Sequence, residues 1–120
     1  MERPNATTIA YYDRNVPADP RAVKGQMFGH PCAFVNGNMF FGTFAQTVVA
    51  RVGKERAAAL LGPNLRIFEP MAGRAWAEYV QWGAEVLPDQ QALAFAQEAL
   101  EATAAMPAKE KKKPAAKKAK

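Results

Sequence analysis

An Asn36-Gly37 dipeptide set between the apolar runs Cys32-Ala-Phe-Val35 and Asn38-Met-Phe-Phe41 constrains this chain more than any other feature. A two-residue type I′ turn needs φ > 0 at both central positions, and Asn-Gly supplies it at the lowest steric cost. Such a turn sets the register: Val35 faces Asn38, Phe34 faces Met39, Ala33 faces Phe40 and Cys32 faces Phe41. Alternation then places Cys32, Phe34, Met39 and Phe41 on one face, and Ala33, Val35, Phe40 and Phe44 on the other. Both faces are apolar. The sheet is therefore expected to be covered on both sides, or to offer one side to a partner.

The segments around this hairpin follow simpler signals. Asn5 to Asn15 reads as a short helix started by Pro4 and Asn5, with Ile9, Tyr12 and Val16 on one face, and Pro17-Ala-Asp-Pro20 stops it. Strands are expected near Val23–Phe28 and, after a tight Ala45-Gln46 connection, at Thr47–Val52. Lys54 to Leu61 reads as a helix, with Gly62 as its left-handed C-terminal cap and Pro63 blocking continuation. Leu65–Glu69 and Arg74–Trp82 form a second, weaker hairpin pattern around Ala72-Gly73. Asp89 is expected to cap a helix running to about Ala105, with Leu93, Ala96, Leu100 and Thr103 along one stripe. The order implies an α+β fold: an antiparallel sheet of about six short strands with N-terminal, middle and C-terminal helices.

Charge divides the chain more sharply than hydrophobicity does. The net charge is +5, yet Pro107 to Lys120 holds seven lysines against one glutamate, and the other 106 residues hold nine Lys/Arg against ten Asp/Glu. This marks a nearly neutral domain over 1–106 and a basic tail over 107–120, whose prolines and charge are expected to keep it unfolded. The tail resembles the Lys/Ala/Pro tails of linker histones and bacterial histone-like proteins. Lys109, Lys111, Lys112, Lys113, Lys117, Lys118 and Lys120 are the candidate nucleic-acid-binding residues, because dispersed lysines neutralise phosphates without reading sequence. The competing reading is a solubilising extension, or an attachment to acidic proteins.

Candidates for chemistry are few. The chain has no serine, which excludes serine-nucleophile mechanisms, and its single histidine and single cysteine cannot make the usual Cys/His zinc site. His30-Pro31-Cys32 alone has nucleophile or ligand potential, and Pro31 with the expected burial of Cys32 favours inert packing. No catalytic residue, metal ligand or cofactor is expected. Gly25 and Gly29 around Met27-Phe28 suit a ligand-contacting loop, but glycine in a strand more often marks a bulge or a close backbone approach. Phe40, Phe44, Trp76, Tyr79 and Trp82 are numerous enough to stack bases, yet only Arg51, Arg66 and Arg74 accompany them, so most are assigned to the core. Val35, Phe40 and Phe44 are the candidate interface for self-association. The opening Met1-Glu2-Arg3-Pro4 carries no apolar run, and no run approaches the ~20 residues of a spanning helix, so a cytoplasmic protein is expected, lying near the nucleoid if the tail holds DNA.

Met27-Phe28-Gly29, the hairpin ending Asn36-Gly37-Asn38-Met39-Phe40, and Val49-Ala50-Arg51-Val52 together resemble the N-terminal domain of the TfoX/Sxy competence-regulator family. Glu85-Val86-Leu87 and the later Glu98-Ala99-Leu100 fit the same pattern, and the fold is similar to the YjbR-like group. The resemblance runs from about Val23 to Ala102. It implies a non-enzymatic module in transcription regulation of DNA uptake, acting with a regulatory protein. By this resemblance, the lysine tail is expected to stand where the full-length regulators carry a second domain.

Overall fold

Asn5 opens the first helix with its own side chain: Oδ1 accepts from the Thr8 N–H at 2.9 Å, satisfying a donor that the first turn leaves over. The computed structural model describes residues 2–27 and 29–106. Within them the order is α1 (Ala6–Asn15), β1 (Val23–Met27), β2 (His30–Val35), β3 (Asn38–Phe44), β4 (Thr47–Arg51), α2 (Lys54–Ala59), β5 (Arg66–Met71), β6 (Arg74–Gly83) and α3 (Asp89–Ala104). The strands form one antiparallel sheet in the order β1-β2-β3-β4-β6-β5, so the expected α+β architecture is the observed one. The basic tail lies outside the described residues.

The Asn36-Gly37 turn forms as the sequence requires, with φ of 54° and 80°. Val35 faces Asn38 and Phe34 faces Met39. Beyond that pair the register slips by one residue, so that Ala33 faces Phe41 and Cys32 faces Gly42. An extra residue in one strand reverses the alternation that follows it. Phe40 and Phe41 consequently both enter the helix-covered core with Ala33 and Val35, whereas Phe44 moves to the opposite face with Cys32 and Met39. This corrects the expected positions of both Phe41 and Phe44. Of the three candidate interface residues, Val35 and Phe40 are 1% and 0% exposed, and Phe44 stands on the other face.

All three helices pack on that face. Tyr11 and Tyr12 of α1, Ala57 of α2, and Ala92, Phe95, Ala96, Ala99 and Leu100 of α3 bury against Val48, Ala50, Val80 and Trp82. Two aromatic contacts bind the layers, Tyr12 stacked on Phe41 at 5.6 Å and Trp82 edge-on to Phe95 at 5.6 Å. The buried stripe of α1 is Thr8, Tyr11, Tyr12 and Asn15, which keeps Tyr12 of the expected Ile9, Tyr12 and Val16 face but not the other two. Its two polar members are hydrogen-bonded, Thr8 Oγ1 to Gln46 Oε1 at 2.8 Å and Asn15 Nδ2 to the Tyr11 carbonyl at 2.8 Å, which offsets the cost of burying them. Two cap expectations also change. Gly62 is not left-handed, and α2 ends through Leu60, whose N–H reaches the Ala57 and Arg56 carbonyls. Pro88 stands at the cap position of α3, leaving the Asp89 carboxylate for Arg14 Nε at 2.8 Å.

The other face closes without a helix. Phe68 on β5 lies 5.1 Å from Phe44 on β3, although β6 and β4 stand between them. A flat sheet would separate those strands by about 14 Å, so the sheet curls strongly here. The slips in β5–β6 pairing, on either side of Phe68, supply the bend. Phe68, Tyr79 and Trp76 thereby fold over Cys32, Met39 and Val49, and Tyr79 Oη donates to the Met39 carbonyl at 2.9 Å.

Tyr11 and Tyr12 provide opposing tests of this core. Tyr11 Oη accepts from Trp82 Nε1 at 3.0 Å and donates to the Leu87 carbonyl at 2.8 Å, whereas Tyr12 Oη is buried with no hydrogen-bond partner among the described residues. Tyr11→Phe should cost about 1–3 kcal/mol in chemical denaturation because it strands two buried groups. Tyr12→Phe should leave stability unchanged or raise it.

Candidate functional site

His30 and Cys32 share the curled face at the start of β2, where alternation puts residues two apart on the same side. Cys32 is 2% exposed and enclosed by Met27, Met39, Thr43, Phe44, Val49 and Phe68. Burial pushes its thiol up to about 11, against the opposing pull of the Thr43 and Met27 amides. A thiol so far above neutral supplies almost no thiolate at physiological pH, so it is a poor nucleophile. The cavity beside it measures about 10 Å³, no larger than a single water.

His30 is equally enclosed, 1% exposed with its ring 5.4 Å from that of Phe44. Burial holds its pKa below the ordinary value, and the nearby Arg3 guanidinium adds to the effect. The imidazole is therefore neutral at pH 7 and does not lower the pKa of the thiol two residues on. Among the described residues no group of three or more His, Cys, Asp or Glu stands close enough to hold a metal ion.

A wider concavity, about 370 Å³, lies elsewhere, between the Pro17-Ala18-Asp19 connector and the Gln97–Glu101 stretch of α3. Its charged groups are already matched. Arg21 Nη2 bridges Asp19 at 2.8 Å and Glu101 at 2.7 Å, and Arg56 Nε holds Glu98 at 2.6 Å. The Arg21 guanidinium lowers the Asp19 carboxyl to about 2, which makes it a weak base. The same matching recurs across the body: Arg14 binds Glu85 and Asp89, Lys24 binds Asp13, and Arg51 binds Glu78. Exposed pairs of this kind add little stability but cancel the local field that would attract a polyanion.

The aromatic candidates divide between the faces. Phe40 and Trp82 lie in the helix-covered core, and Phe44, Trp76 and Tyr79 join Phe68 on the curled face, where the Arg51 guanidinium sits 5.5 Å over the Tyr79 ring. Trp76 and Phe44 remain partly accessible there, and Tyr79 does not. The seven tail lysines, from Lys109 to Lys120, lie outside the described residues.

One positioning residue was not visible in the sequence. Gln46, in the β3–β4 turn, accepts from the Asn5 N–H at 2.9 Å and from Thr8 Oγ1, and donates to the Arg3 carbonyl at 2.7 Å. It ties the segment before α1 to the sheet and holds Arg3 near His30. Its partners stand about forty positions away in the chain, so no local pattern announces the clamp. Ala45 beside it has φ of 52°, a left-handed conformation that costs a non-glycine residue about 1–2 kcal/mol.

These environments set a pH dependence. The depressed pKa of His30 means that the unfolded chain binds its proton more readily than the folded one. Stability from this group is fully present above the ordinary value of 6.5 and should decline as pH falls below it, a decline that His30→Gln should abolish. In the same solutions, native Cys32 should react with a maleimide far more slowly than in denaturant. Fast native labelling would contradict the closed environment described above. No family model, curated protein or solved structure matches this chain.

Proposed function

We propose that this chain is a non-enzymatic regulatory module that associates with DNA irrespective of sequence, through Lys109, Lys111, Lys112, Lys113, Lys117, Lys118 and Lys120. One observation carries the reading: residues 107–120 hold seven lysines against one glutamate, while the body holds nine Lys/Arg against ten Asp/Glu and pairs Arg14, Arg21, Lys24, Arg51 and Arg56 with nearby carboxylates. Phosphate neutralisation by lysine and the release of condensed counterions supply affinity without base contacts. The body contributes partner recognition, and the module acts in the cytoplasm beside the nucleoid, in transcription regulation. The resemblance of Met27-Phe28-Gly29, Asn36–Phe40 and Val49–Val52 to the TfoX/Sxy N-terminal domain favours this setting. The absence of an enzymatic role is supported by the enclosed, high-pKa thiol of Cys32 and the neutral, buried His30.

Gel-shift titrations on arbitrary duplex DNA test the reading, using the full chain and a variant with all seven tail lysines changed to glutamine. Engagement of all seven should make log K fall with log salt at a slope of roughly −6, and the variant should lose nearly all binding. Equal binding by both proteins would assign the tail to solubility instead.

A further inference from the structure

The two edges of the sheet are built differently. β5 carries Arg66, Glu69 and Pro70, and its pairing with β6 slips twice. Charge, proline and bulges are devices that keep an edge strand from pairing with another chain. β1 has almost none of them. Its five residues pair with β2 in unbroken register, from Val23 opposite Phe34 to Met27 opposite His30. Its single charge, Lys24, is drawn to Asp13 at 3.1 Å, and Val23 is 61% exposed.

The orientation of the backbone groups in β1 follows from its neighbour. Pro31 has no N–H, and its carbonyl accepts from Thr43 Oγ1 at 2.8 Å on the β3 side. Gln26 and Pro31, which face each other, are therefore a pair without mutual backbone hydrogen bonds. Gln26, and by the two-residue period Lys24, turn their N–H and C=O groups outward, away from β2. The edge thus presents two donors and two acceptors in a flat, regular strand.

We infer that β1 is a homodimer interface, pairing antiparallel with β1 of a second copy about a two-fold axis at Gly25. In this register Lys24 lies opposite Gln26 of the second copy, and Gln26 opposite its Lys24, so all the outward groups are used in four backbone hydrogen bonds. A register centred on Lys24 would oppose two like charges, which is destabilising. Centring on Gly25 also brings Val23 against Met27 of the second copy, on the face that carries Phe34. Gly25 meets its own copy at the closer of the two antiparallel spacings, about 4.5 Å between Cα atoms. Here the missing side chain matters, because a Cβ on Gly25 would stand 3.2 Å from the Phe34 ring that lies across it. Phe34 and its symmetry copy can then flank the joint and shield it. Pairing stops at two copies, since the opposite edge of the sheet, as formed by the described residues, is the blunted β5. Five-residue edges bury less than the ~1,200 Å² of a standard stable complex, so the association is weak and concentration-dependent.

Sedimentation equilibrium of the nuclease-treated full chain in high salt tests this, since high salt screens the tails and prevents bridging by nucleic acid. Apparent mass should rise with concentration from one chain to two and stop there, while amide exchange slows at Lys24 and Gln26. Gln26→Pro removes an outward N–H without touching the ladder to β2, and should be monomeric with unaltered thermal unfolding at low concentration. Val23→Glu, at an exposed position, is the second variant and should weaken association at least tenfold. A wild type that stays monomeric to its solubility limit, assembly beyond two copies, or full-strength dimerisation of both variants would overturn the inference.

Discussion

Phe40 and Phe41 are consecutive residues of a strand, yet both lie under the helices because the β2–β3 register slips between Ala33 and Phe34. The rest of the structure depends on that slip. It gives Tyr12 a ring to stack on and Trp82 a neighbour at 6.4 Å, which joins α1 to the middle of the sheet. It also sends Phe44 to the opposite face, where it becomes the anchor on which Phe68 closes. Full burial of a phenylalanine side chain is worth about 1.5–3 kcal/mol, more than the loss of one ladder hydrogen bond at about 0.5–1.5 kcal/mol, so packing sets the register.

A sheet with two apolar faces and helices on only one of them has to hide the second. Here it does so by bending: the β5–β6 hairpin turns over Cys32, Met39 and Val49 through the register slips beside Phe68. The consequence for chemistry is direct. The same closure that protects the apolar surface excludes water from His30 and Cys32, leaving one neutral and the other protonated. On the accessible surface Arg14, Arg21 and Arg56 are matched to carboxylates, and among the described residues no helix is long and apolar enough to cross a membrane.

Much of the fold was legible in the residues. The Asn36-Gly37 turn, the N-terminal cap at Asn5 and the alternation of helix and strand segments all arise from chemistry within a few positions. The burial of Cys32 was legible too, from its place between Pro31 and an apolar run. The shared face of Val35, Phe40 and Phe44 was not: strict alternation put them together, and the bulge then separated Phe44 from the other two. Asp89 looks like a cap in sequence but is recruited by Arg14, 75 positions away. Gly62 looks like a left-handed cap in sequence, but α2 ends earlier, with the Leu60 N–H reaching the Arg56 and Ala57 carbonyls.

The sequence by itself determined where the chain turns, which segments carry apolar surface, and that nearly all net positive charge sits past residue 106. These properties are local or additive, so they survive without any knowledge of neighbours. Only the tertiary structure decided which face each aromatic occupies, how the second face is covered, and which edge of the sheet stays open. Those outcomes depend on contacts between residues tens of positions apart, where a shift of one residue in register reverses every side chain beyond it.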